Sequence, residues 1–187
     1  MSWGAAVDEY VAEEQLATFV DAGGTLLDTA PIYGDGLCEQ VTGSLLAKHS
    51  LRDRVVLARK AGVVRRGGQV VTDGSLRSLL AQLDQSLKDL GTDHLDLWQI
   101  HRWDSTVPLD ETMAALDQAV RSGRVRYAGI SNFAGWQTVA AQDSYVRLGG
   151  GVPLVSTQIE YSLVHREPEI ETLPAAAHAG VGVLAWS

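Results

Sequence analysis

The sequence has a single cysteine, Cys38, so no intramolecular disulfide can form and a cytoplasmic setting is expected. It has no surplus of positive charge: 15 lysines and arginines stand against 23 aspartates and glutamates, a net charge of −8. Nucleic acid and anionic membranes both call for basic patches, so neither is expected as a bulk partner, although a local basic pocket for a phosphate stays open. No apolar run approaches the length of a membrane span, and the first residues are acidic early with no apolar signal core. There is no low-complexity or Pro/Ser-rich stretch to act as a linker or to stay disordered. No Gly-x-Gly-x-x-Gly stands between a strand and a helix, so the fingerprint of a doubly wound dinucleotide fold is missing. His94 and His165 lack clustered carboxylate or cysteine partners, and no metal site is expected.

What is present is a repeated unit. With 187 residues and 45% hydrophobic content, the chain can bury one sizeable core, read as a single domain over 1–187. Apolar periodicity predicts helices over 8–22, 36–48, 75–90, 109–122, 135–147 and 168–179. On the first of these, Tyr10, Val11, Leu16, Phe19 and Val20 form the apolar side. Strands are expected over 25–28, 55–58, 95–100, 125–130, 154–159 and 181–186, with residues 1–4 as the tail of a seventh. Arg65-Arg66-Gly67-Gly68 reads as a Gly-rich turn in a solvated loop. Strands and helices alternating at this spacing imply right-handed βαβ units around a parallel sheet. The strands are nearly continuous apolar runs, as strands covered on both faces should be.

The expected architecture is α/β, a (β/α)8 TIM barrel that is incomplete, with about six to seven strands present. Such a barrel usually needs about 250 residues. This chain ends directly after a strand, so the expectation is a piece of a longer barrel, truncated at the C-terminus and at the N-terminus. An open doubly wound sheet is the competing architecture.

Four polar residues fall at or just past strand ends: Asp28, Tyr33, Lys60 and His101. Strands of one parallel barrel expose their C-terminal ends on a single face, and that face holds the chemistry. An acid, a phenol, an amine and an imidazole would therefore converge in one pocket, a set able to move protons to and from a carbonyl oxygen. Taken singly, Asp28 could cap a strand end, Tyr33 could pack a turn and His101 could be a satisfied core histidine. A buried Lys60 is less ordinary, because it needs a partner.

The segments Leu27-Asp28-Thr29-Ala30-Pro31-Ile32-Tyr33-Gly34, Ala58-Arg59-Lys60-Ala61, Asp93-His94-Leu95-Asp96-Leu97-Trp98-Gln99-Ile100-His101 and Gly129-Ile130-Ser131-Asn132-Phe133 stand in this order along the chain. Together they resemble the successive signatures of the aldo-keto reductase superfamily. The resemblance runs over essentially the whole chain. It implies a (β/α)8 barrel, reduction of aldehydes or ketones with NADPH, and a small-molecule carbonyl substrate, with Asp28, Tyr33, Lys60 and His101 matching the catalytic tetrad.

Each residue type suits that chemistry. Hydride attack builds negative charge on the carbonyl oxygen, so a proton donor must sit beside it. Tyr33 would donate, Lys60 would lower the phenol's pKa, Asp28 would hold Lys60 charged, and His101 would orient the substrate oxygen. The same resemblance gives Asp28, Ser131, Asn132 and Gln158 to the nicotinamide end of the cofactor, with Trp186 stacking on its ring and Ser187 at the pyrophosphate. Ser131, Asn132 and Gln158 could instead cap strand ends, and Trp186 could be a core or rim tryptophan. Trp103, two residues beyond His101, could line the substrate pocket or pack a loop.

The family's region beyond the last strand, its grip on the adenosine 2′-phosphate, and its N-terminal hairpin have no counterpart in the 187 residues. The chain alone is therefore expected to be weakly stable or inactive. Two other functions fit parts of the pattern. One is a cofactor-binding regulatory subunit resembling the potassium-channel beta subunits. The other is a Schiff-base aldolase using Lys60. Tyr33 and the Ser131, Asn132, Gln158 set favour the reductase, because an aldolase has no need of a carboxamide cradle. Substrate identity, NADPH against NADH preference and oligomeric state are left open by the sequence.

Overall fold

The computed structural model describes residues 3–149 and 151–187. Six helices alternate with a parallel sheet: α1 Glu9–Asp21, β1 Leu26–Thr29, α2 Leu37–Lys48, β2 Val56–Ala61, a hairpin of β3 Val63–Arg66 and β4 Gln69–Thr72, α3 Leu76–Leu90, β5 Leu95–Ile100, α4 Leu109–Arg121, β6 Val125–Ser131, α5 Gly135–Arg147, β7 Ser156–Glu160, α6 Thr172–Ala179 and β8 Gly182–Trp186. The main sheet runs β1-β2-β5-β6-β7-β8, every neighbouring pair parallel. Each new strand is added to the same edge, so the order never reverses. A doubly wound sheet requires such a reversal, which excludes the competing architecture.

The sheet is rolled. Four strand spacings separate β1 from β7, about 19 Å if the sheet were flat. Yet Gln158 Nε2 on β7 donates to Asp28 Oδ2 on β1 over 3.1 Å. Only a barrel wall brings these strand ends together. Alternate residues of each strand therefore face the lumen. There Gln99 of β5 accepts from Ser156 Oγ of β7 at 3.1 Å, and Lys60 of β2 meets Asp28 of β1. The architecture is an incomplete (β/α)8 barrel.

Intervening residues face the helix layer, where most of the apolar core lies. Leu57, Trp98, Ile100 and Ile130 from the strands pack with Leu45, Leu79, Leu83, Met113 and Leu116 from the helices. The clearest helix, α3, has both of its ends specified locally. Ser75 Oγ accepts from Ser78 N at its start, and Gly91 takes the left-handed conformation (φ 62°) that closes it. Gly43 lets α2 approach the end of α3: a Cβ there would lie 2.5 Å from the Leu90 carbonyl oxygen.

Several expectations are corrected. Arg65 and Arg66 belong to an antiparallel hairpin, not an irregular loop. Gly67 and Gly68 both have positive φ, the backbone of a tight hairpin turn flanked by valine pairs. The seventh strand does not form from the residues described: Met1 and Ser2 lie outside them, and Trp3 makes only an isolated bridge with Val7. The buried stripe of α1 is Ala12, Leu16 and Val20, whereas Tyr10 is exposed. The last helix starts at Thr172 and not at 168, after a separate short turn over Glu167–Glu169. Pro174 explains this, since its ring would clash with the Ile170 carbonyl of a continuous helix. Strand β8 is not covered on both faces: Val183 and Trp186 are exposed along a sheet edge with no further strand among the described residues.

Candidate active site

At the C-terminal ends of the strands lies a cleft of about 320 Å³. Its walls include Asp28, Tyr33, His101 and Arg102 on one side and Ser131, Asn132, Gln158, Trp186 and Ser187 on the other. All the residues expected to meet at this face line it except Lys60 and Trp103.

Lys60 lies beneath the cleft floor. Its side chain is 1% exposed, and its ammonium donates to Asp28 Oδ2. It also sits over the Tyr33 ring, 5.3 Å from the centroid. Burial pushes the Lys60 pKa down, while the Asp28 carboxylate opposes that shift. Asp28 is 26% exposed and so connects the buried ammonium to the cleft.

Tyr33 opens a short turn, Tyr33–Gly36, in which Gly34, Asp35 and Gly36 are all left-handed. The turn is pinned on its outer side by Arg65 Nε of the hairpin, 3.2 Å from Asp35 Oδ1. The phenol is pushed up to about 12, first by burial, then by the Asp28 and Cys38 charges. This corrects the expectation that Lys60 lowers it. The Lys60 ammonium lies over the ring face and is paired with Asp28, so while the phenol is neutral burial and the acid outweigh it at the hydroxyl. The phenol therefore holds its proton firmly at neutral pH.

His101 follows β5 directly, its backbone N–H bonded to the Ala61 carbonyl at 2.7 Å. Its ring stands edge-on to Tyr33, centroids 6.2 Å apart. Burial, then the Lys60, Arg102 and Arg59 charges, push its pKa down to about 4, so the imidazole is neutral at pH 7. Its Nδ1 and Asp28 Oδ1 are buried without hydrogen-bond partners.

The opposite wall is cross-linked. Asn132, left-handed at φ 55°, donates from Nδ2 to the His101 carbonyl (2.9 Å) and to Ser131 Oγ (3.1 Å). Its Oδ1 accepts from Trp186 Nε1 at 3.1 Å. Asn132 thus ties the ends of β5, β6 and β8 to one another. Trp103 stands outside this cleft and packs edge-on against Phe133 (5.2 Å) and Trp136 (5.4 Å), the loop-packing alternative. Arg102 is the lining residue that sequence reasoning passed over. Its place directly after His101, at a strand end, was the available signal.

A sequence profile described as the Aldo/keto reductase family matches residues 1–187. The chain belongs to the aldo/keto reductase family. The uncharacterized oxidoreductase YrpG of Bacillus subtilis (strain 168) is 41% identical over 197 residues, covering 100% of this chain and 60% of that protein. An aryl-alcohol dehydrogenase [NADP(+)] of Phanerodontia chrysosporium is 29% identical, over 97% of this chain and 49% of the relative. Among solved structures, glycerol dehydrogenase AKR11B4 from Gluconobacter oxydans superposes with a TM-score of 0.82 at 30% identity, over 92% of this chain and 52% of the other. This aldo/keto reductase chain thus spans about half to three fifths of the length of the relatives it matches. Among its described residues no helix is long and apolar enough to cross a membrane, and no group of three His, Cys, Asp or Glu could hold a metal ion.

Proposed function

We propose that the protein reduces aldehydes or ketones to alcohols with NADPH, and that Tyr33 is the general acid. The observation that carries this reading is the grouping of a proton-holding phenol, a neutral imidazole and a buried ammonium–carboxylate pair at one cleft. A nicotinamide cofactor held at this cleft would supply the hydride. The rest falls to side chains. Tyr33 Oη carries a proton at neutral pH and gives it to the carbonyl oxygen as negative charge develops there. Lys60, kept charged by Asp28, offsets the charge left on the phenolate. His101, neutral, offers a ring N–H to the same oxygen and orients it.

The opposite wall suits a nicotinamide. The Ser131 hydroxyl and the Gln158 amide can satisfy a carboxamide, and Trp186 offers a partly exposed indole face. Asn132 has both amide ends engaged inside the protein, so it supports this wall more than it extends from it. Ser187 on this wall, and Asp28 bonded to Gln158 from the other, complete the cofactor side. The preference for NADPH rests on the family resemblance and on the NADP(+)-dependent relative. A cytoplasmic setting belongs to the same proposal and rests on the one cysteine, free and buried. Lys60 is poorly placed to be a Schiff-base nucleophile, because its amine is committed to Asp28 as an ammonium.

The test is NADPH consumption by the full-length protein with a panel of aldehydes, beside a Tyr33→Phe variant. The variant should lose on the order of 10²–10⁴-fold in kcat while keeping NADPH affinity. Cofactor binding without turnover of any carbonyl by the unsubstituted protein would replace the reductase with a cofactor-sensing subunit.

A further inference from the structure

Arg102 is exposed and lines the cleft beside Tyr33 and His101. Eight other arginines are engaged by carboxylates: Arg52 by Asp96, Arg59 by Glu39, Arg65 by Asp35, and so on through Arg166 by Glu169. Arg102 has no ion-pair or hydrogen-bond partner among the described residues. The acid nearest in sequence, Asp104, cannot serve readily. Its Oδ2 accepts from Gly74 N at 2.9 Å, and its Oδ1 accepts from Thr106 N and Oγ1 at 2.8 and 2.6 Å.

The cleft's own carboxylate is also accounted for, since Asp28 is neutralised by Lys60. One unbalanced positive charge therefore remains at the mouth of the site, in a chain whose net charge is −8. Its field reaches the reacting end, where it helps keep His101 neutral. A guanidinium presents a planar fork that matches a carboxylate with two parallel hydrogen bonds, and a free cation at a cleft mouth steers anions inward.

We propose that Arg102 is the recognition cation of the cleft and binds an anionic carboxylate on the carbonyl substrate, so that acidic aldehydes or ketones are preferred over neutral ones. This rests on the carbonyl-reductase reading above. The position favours substrate over cofactor: Arg102 directly follows His101, whose ring stands edge-on to Tyr33 at the reacting end of the cleft.

The experiment compares 4-formylbenzoate with its methyl ester on the full-length protein, and reads the ratio of their kcat/KM values. The ratio should favour the carboxylate by roughly tenfold to a hundredfold, as charge-assisted hydrogen bonds do. Arg102→Met should collapse the ratio, mainly through KM for the carboxylate, and Arg102→Lys should keep part of it. A ratio that Arg102→Met leaves unchanged overturns the proposal. So does a variant that weakens NADPH binding instead of changing the ratio, for the anion would then be a cofactor phosphate. Terephthalate quenching of tryptophan fluorescence, with Trp186 in the cleft as reporter, separates the two readings. Quenching that is lost in Arg102→Met supports the anion site even if no aldehyde is turned over, in which case only the reductase reading fails. Turnover with neither quenching nor carboxylate preference removes the Arg102 assignment and leaves the reductase.

Discussion

Two consecutive residues of β2, Arg59 and Lys60, each form an ion pair, and the strand's pleat sends them to opposite faces. Arg59 points into the helix layer, where its Nε lies 3.2 Å from Glu39 of α2 and Ser86 of α3 donates to the same carboxylate oxygen. Both partners are 1% exposed. Lys60 points into the lumen and meets Asp28, which is 26% exposed and opens on the cleft. The same chemistry thus has two settings. The sealed pair has no access to any ligand and ties β2 to two helices. The pair with one wet end can pass its charge to a reacting group. Burial of the acid, more than the presence of a cation and an anion, separates a structural pair from a chemical one.

Glu39→Ala sharpens this contrast most. It leaves the Arg59 guanidinium buried and uncompensated, and Arg59 Nη1 already lacks a partner. The expected loss is about 3–5 kcal/mol of stability, read as a fall in the denaturation midpoint. The double replacement Glu39→Leu with Arg59→Met should recover most of it, because well-packed apolar side chains can replace a buried pair.

Lys60→Met should do the reverse. Activity should fall on the order of 10²–10³-fold. Stability should change far less than for Glu39→Ala, since Asp28 keeps contact with solvent and with Gln158 Nε2. If Lys60→Met unfolded the protein while Glu39→Ala only slowed it, the contrast would be inverted.

The pH dependence tests the lumen side alone. The folded pKa of His101, about 4, lies below the ordinary 6.5. Between those values the unfolded chain binds more protons than the folded one. The contribution is therefore complete above pH 6.5 and is lost as pH falls through 4, up to about 3 kcal/mol in all. Melting temperatures of the protein and of His101→Gln across this window should show a shallower acid decline in the variant. An imidazole NMR shift that titrated near 6.5 would contradict the burial argument.

The smallest effect belongs to an exposed pair. Asp35→Asn removes the contact with Arg65 that pins the Tyr33 turn, and should cost under about 1 kcal/mol. A large loss of activity there would mean that the hairpin positions Tyr33.

Much of the barrel was legible in the chain. Leu95–Ile100 and Leu76–Leu90 agree closely with their sequence patterns, because a strand covered on both faces leaves a near-continuous apolar run and an amphipathic helix leaves a 3.6-residue stripe, here Leu79, Leu83 and Leu90. The hairpin at Gly67-Gly68 was missed although two glycines flanked by valine pairs are its ordinary signal. The exposed Tyr10 shows the limit of periodicity, which identifies an apolar stripe without saying what covers it.

At the site, the identities of Asp28, Tyr33, Lys60 and His101, and their position at strand ends, were decided by sequence alone. Spacing along alternating elements suffices for that, since parallel strands share one C-terminal face. Three things were decided only by the tertiary structure. The rolling of the sheet brings Gln158 to Asp28. The commitment of Lys60 to Asp28 leaves the Tyr33 phenol raised and not lowered. The engagement of Asp104 elsewhere leaves Arg102 free. Each depends on distance and desolvation between residues far apart in the chain, and a local pattern does not encode these quantities.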